Sequence, residues 1–141
     1  MLRGISPLFS PELLATIYQM GHGDEIVLAD AYFPGHSVND LVIRADGLLI
    51  EDLLDAILPL FALDSYVDDP VAMMACVPGD EPDPAVESGY RTVIDKYAPE
   101  TPAITFIERF SFYERAENAF AGEMTGDTRK YANLILKKGV S

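Results

Sequence analysis

Short apolar runs alternate along this chain with segments whose apolar residues recur at helical spacing, and that alternation most limits what it can fold into. Ile26 to Ala29 and Val71 to Val77 are continuous apolar runs, and Ile104 to Ile107 is strand-like. Runs of this length without a polar face suit strands covered on both sides of a sheet. Leu41 to Ala45 is a weaker strand candidate. Between these runs lie helices with recognisable starts. Ser10-Pro11-Glu12 supplies a cap, a first-turn proline and a carboxylate at the positive end of the helix dipole. Leu13, Leu14, Ile17 and Met20 follow on one face, and Gly21 is set to end that helix in the left-handed conformation. Leu49, Leu53, Leu54 and Ile57 mark a second helix that stops close to Pro59. Asp83-Pro84 repeats the cap-plus-proline start, with Val86, Tyr90, Val93, Ile94 and Tyr97 as the buried stripe. Ser111 and Glu114 have capping-box spacing and open a short helix through Asn118. Phe120 to Thr125 and Asn133 to Lys137 read as two closing strands around the turn at Gly126-Asp127.

This pattern predicts a single α/β domain over residues 1–141, three layers α/β/α, with a largely parallel sheet. A chain of 141 residues buries roughly 68% of its unfolded surface, enough for a real core. Ten basic against 23 acidic residues give a net charge of −13, a field that repels phosphate backbones and anionic membranes. Nucleic acid and membrane are therefore poor partners, and a neutral or cationic small ligand suits the chain better. The stretch Leu48 to Leu63 is broken by Glu51, Asp52, Asp55 and Pro59, so it is no membrane span. The amino terminus lacks the pattern of a secretory signal, and the expected location is the cytoplasm. Cys76 is the only cysteine; no internal disulfide can form, and its apolar run predicts a buried, inert thiol.

Chemistry concentrates in a few residues. His22, one of two histidines, lies between Gly21 and Gly23 where the first helix ends and the first strand begins. It is either a cap that bonds local carbonyls or a titratable group open to a ligand, with Asp24 and Glu25 supplying charge that favours protonation. Asp30 follows the strand Ile26 to Ala29, where ligands of parallel sheets gather; it caps a turn or binds hydroxyls. His22 precedes that strand, so a second chain is needed to bring it to the same crevice. His36 sits in the turn-like stretch Phe33 to Ser37. His22, Asp24, Asp30 and His36 have no metal-cluster spacing, and no metal is expected. The chain carries neither a dinucleotide loop nor a Walker loop, and no serine on a nucleophile elbow. Arg109 pairs with a surplus carboxylate or holds two hydroxyls in its fork. Tyr131 and Asn133, two apart in a segment read as extended, present a phenol and an amide to one side.

These residues resemble the ribose pyranase and fucose mutarotase family, in particular its fucose mutarotase branch. The likeness runs nearly end to end: Gly4 to Leu8, Ser10 to Leu14, Gly21 to Asp30, Phe33-Pro34, Arg44 to Leu49, Leu63-Asp64-Ser65-Tyr66, Phe112 to Ala116, Lys130 to Asn133 and Lys137 to Val140. The resemblance implies an isomerase that interconverts anomers of a free monosaccharide, L-fucose first, in cytoplasmic sugar catabolism and without a cofactor. It implies His22 as the proton-transferring residue and Asp30, Arg109, Tyr131 and Asn133 as sugar-binding positions. It also implies a homo-oligomeric ring, a decamer, with sites at subunit contacts. Tyr32 stands where bacterial relatives often carry histidine. The rival reading is a non-catalytic sugar-binding or transport-accessory protein.

Overall fold

The computed structural model describes residues 1–141. Its strands are β1 (Glu25–Ala29), β2 (Val42–Ala45), β3 (Val71–Met74), β4 (Thr105–Ile107), β5 (Ala121–Thr125) and β6 (Leu134–Lys137). Its helices are α1 (Pro11–Gln19), α2 (Gly35–Val38), α3 (Ile50–Ile57), α4 (Pro84–Tyr97) and α5 (Arg109–Asn118), and a 3-10 turn at Leu58–Leu60 absorbs Pro59. The six strands form one sheet in the order β2-β5-β1-β6-β3-β4. β1 runs parallel to β5, β5 to β2 and β3 to β4, whereas β6 is antiparallel to both β1 and β3. The expected α/β domain with a largely parallel sheet is therefore present, with one reversed strand near its centre.

The strands are covered on both faces, which is why their sequences carry little polar alternation. Ile26, Leu28, Ile43, Val71, Met73, Leu134 and Leu136 face a cluster of 21 buried residues closed by α1, α3 and α4. Val27, Ala29, Ala72, Met74, Met124 and Ile135 face a smaller cluster of nine, closed chiefly by Phe33 and by Phe112 and Ala116 of α5. The larger layer holds most of the buried apolar area and thus most of the hydrophobic stabilisation. One carboxyl interrupts it. Glu123 of β5 lies between Leu28 and Ile43 in the sheet, 1% exposed, and its Oε2 has no hydrogen-bond partner. Burial pushes its carboxyl up to about 7.

Two helix starts are as the sequence predicts: the Ser10 side chain accepts from the Leu13 N–H, and the Asp83 side chain accepts from the Ala85 N–H. Other expectations need correction. α1 ends at an extended Met20, and the left-handed glycine is Gly23 (φ 89°) rather than Gly21. α5 begins at Arg109 with Glu108 as its cap, because that carboxylate accepts from the Phe110 and Ser111 N–H groups before Ser111 can act. β3 stops at Met74, so Cys76 lies beyond the strand and is half-buried. β5 and β6 are not neighbours, since β1 lies between them. Phe33 to Ser37 includes the short helix α2, and His36 there meets Arg44 at 3.3 Å. No helix is long and apolar enough to cross a membrane.

Candidate active site

The ends of β1, β3 and β4 and the start of β6 lie at one end of the sheet, and a cavity of about 290 Å³ opens there. Asp30, Arg109, Tyr131 and Asn133 all line it. They are separated by as many as 103 residues in sequence, and strand direction alone assembles them. Asp30 is the residue after β1 and Asn133 the residue before β6. Because these strands are antiparallel neighbours, the Asp30 N–H donates to Asn133 Oδ1 at 2.7 Å. Asp30 Oδ1 also accepts from the Tyr32 N–H at 2.9 Å. Asp30 is only 5% exposed, and that burial, aided by the charge of Asp127, raises its carboxyl above the ordinary range against the pull of these hydrogen bonds.

Tyr131 does not lie in the extended segment the sequence suggested. Its φ is 57°, the one positive value outside glycine, a conformation that costs roughly 1–2 kcal/mol. Its hydroxyl donates to Asp80 Oδ2 at 2.8 Å and accepts from the Val77 N–H at 3.4 Å. The Asp80 carboxylate raises the phenol's pKa, and the phenol's hydrogen bond lowers that of Asp80. The tyrosine stays a neutral donor and acceptor at the cavity wall. Arg109 opens α5 and stacks over the Phe110 ring at 4.7 Å. It takes part in none of the ion pairs of the protein, so its fork is not consumed by a surplus carboxylate.

His22 is elsewhere. It precedes β1 and therefore lies at the opposite end of the sheet, roughly 16 Å away along a five-residue strand. It does not line the cavity. Its loop is held by the segment after β6. The Lys138 ammonium donates to the carbonyls of Ile17 and Met20 at 2.6 Å each, satisfying groups that the end of α1 leaves free. The Gly23 N–H donates to the Lys138 carbonyl and the Lys138 N–H to the Asp24 carbonyl. Asp24 turns its carboxylate back to the Gly21 N–H, and Glu25 is bound to Arg115, so neither is the partner of the ring that their proximity in sequence suggested. The ring meets Asp64 instead: Nε2 is 3.1 Å from Asp64 Oδ1, and Tyr66 lies 5.3 Å away between ring centroids. No three of the histidine, cysteine and carboxylate side chains are arranged to hold a metal, and His22, Asp24, Asp30 and His36 do not converge.

Sequence reasoning missed Asp64, Asp80 and the apolar wall formed by Met74 and Tyr113. Asp64 and Tyr113 each had a signal, since the stretches Leu63 to Tyr66 and Phe112 to Ala116 both belong to the family likeness. A model of the RbsD / FucU transport protein family matches residues 3–141. Among solved structures, the fucose mutarotase from Streptococcus pneumoniae in complex with L-fucose is 48% identical, with a TM-score of 0.94 and 99% of each chain covered. FucU from Bifidobacterium longum is 43% identical, again with a TM-score of 0.94 and 99% of each chain covered. RbsD from Bacillus subtilis, complexed with D-ribose, is 20% identical at a TM-score of 0.69 over 100% of this chain and 99% of that one, a likeness of fold alone.

Proposed function

The chain belongs to the RbsD / FucU transport protein family, and from that premise we propose that it is a sugar mutarotase converting α and β anomers of a free monosaccharide, with L-fucose as substrate. The observation that carries this reading is the convergence of Asp30, Arg109, Tyr131 and Asn133 on one cavity in a chain 48% identical to a fucose mutarotase. The lining suits a small polyol. Arg109 offers a planar fork of donors, Tyr131 and Asn133 offer hydroxyl and amide groups, and Met74 and Tyr113 supply apolar surface for the carbon face of the ring.

Mutarotation needs one proton delivered to the ring oxygen and one removed from the anomeric hydroxyl. The ring C–O bond breaks to an open-chain aldehyde, which rotates and recloses on its other face, so the reaction balances without a redox or group-carrying cofactor. His22 of the partner subunit is the acid in this proposal, completing a cavity that its own chain's geometry keeps it from reaching. The anomeric proton goes to Asp30. Burial makes that carboxylate a stronger base than Asp80, whose pKa is lowered by Tyr131. Positioned acid–base groups contribute about 10²–10⁴-fold, or roughly 3–5 kcal/mol, which suits so mild a reaction. The family resemblance adds to this proposal a ring-shaped decamer in the cytoplasm, with each cavity closed by a neighbour's histidine.

Saturation-difference NMR on the L-fucose anomers tests the proposal. Native protein accelerates their exchange, and His22→Ala abolishes the acceleration while the protein stays folded. Fucose resonances that shift on binding without faster exchange would instead establish a sugar-binding protein with no catalysis. Sedimentation of the native protein at monomer mass would remove the shared site.

A further inference from the structure

Tyr90 of α4 falls on the stripe that the sequence marks as buried, and the whole residue is sealed from solvent. A phenol in a core needs a partner for its hydroxyl. That hydroxyl donates to the Ala132 carbonyl at 2.7 Å, and Ala132, equally buried, stands between Tyr131 and Asn133. Tyr90 itself lines no part of the cavity. Burial raises its pKa, so the phenol stays protonated and keeps donating.

The β5–β6 connection that carries Tyr131 and Asn133 is tied at two points to the segment after β1. The Ala31 N–H donates to the Asp127 carbonyl at 2.8 Å, and the Asp30 N–H donates to Asn133 Oδ1. Asp127 is buried and accepts from Arg129 at both carboxylate oxygens, and that guanidinium lies 5.9 Å from the centre of the Tyr90 ring. Between the two ties the chain passes through the positive φ of Tyr131, a conformation that persists only where its surroundings enforce it. The Tyr90 hydroxyl reaches this stretch from the helix layer.

We propose that Tyr90 is a positioning residue for sugar binding, its buried hydroxyl fixing the Ala132–Asn133 peptide so that the Tyr131 phenol and the Asn133 amide meet the ligand together. The inference rests on the reading of the cavity as the sugar site. A peptide unit is planar, so a carbonyl held in one direction fixes the N–H and Cα that follow it. Holding the Ala132 carbonyl therefore orients Asn133 and, through Asn133 Oδ1, the Asp30 N–H. Without the hydroxyl that carbonyl loses its donor in an apolar layer, and turning the peptide toward another partner relieves the cost. Tyr131 then relaxes from its positive φ, and the two hydroxyl-binding groups lose register.

Tyr90→Phe removes one oxygen and keeps the ring, and the test pairs its kinetics with one amide resonance. In NMR exchange measurements at varied L-fucose concentration, KM rises roughly fivefold to twentyfold while kcat stays within about threefold. The catalytic step is spared because the Asp30 carboxylate keeps its bond to the Tyr32 N–H and His22 lies at the other end of the sheet. The Asp30 amide proton, moved downfield in native protein by its short hydrogen bond, shifts upfield in the variant. A loss of stability alone would change neither reading, since the folded fraction would bind sugar as native protein does. Native KM, or a native Asp30 amide resonance, in folded Tyr90→Phe overturns the proposal whatever the melting temperature of the variant. If Tyr90→Phe does not fold, native protein decides. L-fucose is expected to shift the Tyr90 hydroxyl proton, which burial protects from exchange with water, and a resonance unmoved by saturating sugar overturns the proposal. Native protein that neither binds fucose nor speeds its exchange overturns the functional reading instead, and the Asp30 amide of Tyr90→Phe still reports separately whether Tyr90 orders the segment.

Discussion

The two ends of the sheet are built by opposite means. At one end, a cavity takes Asp30 from the segment after β1, Arg109 from the start of α5, and Tyr131 and Asn133 from the connection between β5 and β6. At the other, His22 is 44% exposed at its side chain but rests on a dense frame of Lys138, Gly139 and Asp64. In the proposed mechanism one end receives the sugar and the other supplies the histidine. A strand separates them, and a strand cannot shorten. A catalytic unit made from both ends therefore has to be made from two copies of the chain, by the symmetry that lets one surface of a protomer meet a different surface of the next.

Complementation between variants of the two ends tests this division most directly. At fucose concentrations below the native KM, His22→Ala and Arg109→Ala proteins are each expected to lose most exchange activity, the former by about 10²–10⁴-fold. Co-expressed, they form mixed assemblies in which about a quarter of the sites pair an intact cavity with an intact histidine, and activity returns to that fraction. No recovery in verified mixed assemblies would place both ends in one protomer's chemistry.

Glu123 sits between the two ends and serves neither. Its carboxyl, ordinarily near 4.5, is pushed up to about 7, so between those values the folded protein keeps a proton that the unfolded chain has released. Stability therefore falls as pH rises through this window, by on the order of 3 kcal/mol, and is flat above it. Glu123→Met should remove the slope and raise stability at pH 8 by a similar amount, as read by urea melts at pH 5 and pH 8. Parallel pH dependence in native and variant protein would show that the carboxyl finds a partner in the assembly.

Arg109→Ala alone sharpens the cavity end. Loss of a charged hydrogen-bonding fork costs about 1.5–3 kcal/mol in sugar binding, seen as a KM increase of roughly tenfold to hundredfold by NMR exchange at varied fucose concentration. A change confined to kcat would mean that Arg109 acts on the transition state instead of on hydroxyls. Lys138→Met probes the histidine end and has the smallest effect, about 1–2 kcal/mol of stability from two freed helix carbonyls. Hydrogen exchange confined to residues 17–24 would locate the loosening, whereas uniform exchange would show that the loop is not separately held.

The fold was legible because its signals are local. Apolar runs and cap-plus-proline starts at Ser10 and Asp83 depend on neighbours within a few residues. Where a competing local group existed, the reading slipped: Glu108 took the cap expected of Ser111, and Gly23 took the turn expected of Gly21. The cavity residues were legible one at a time. That Tyr131 reaches it through a positive φ, with its hydroxyl held by Asp80, was not, since nothing near Tyr131 in sequence announces a partner 51 residues away.

From the sequence alone come the class of the domain, the acidic field, and the residue types able to bind hydroxyls and move a proton. Tertiary structure decided the rest: the reversal of β6, which joins Asp30 to Asn133, and the pairing of its far end, which carries Asp64 to His22 and leaves that ring a strand's length from the cavity. The physical reason is that local propensity sets which elements form, whereas strand order and direction, set by packing across the whole sheet, determine which of their ends meet.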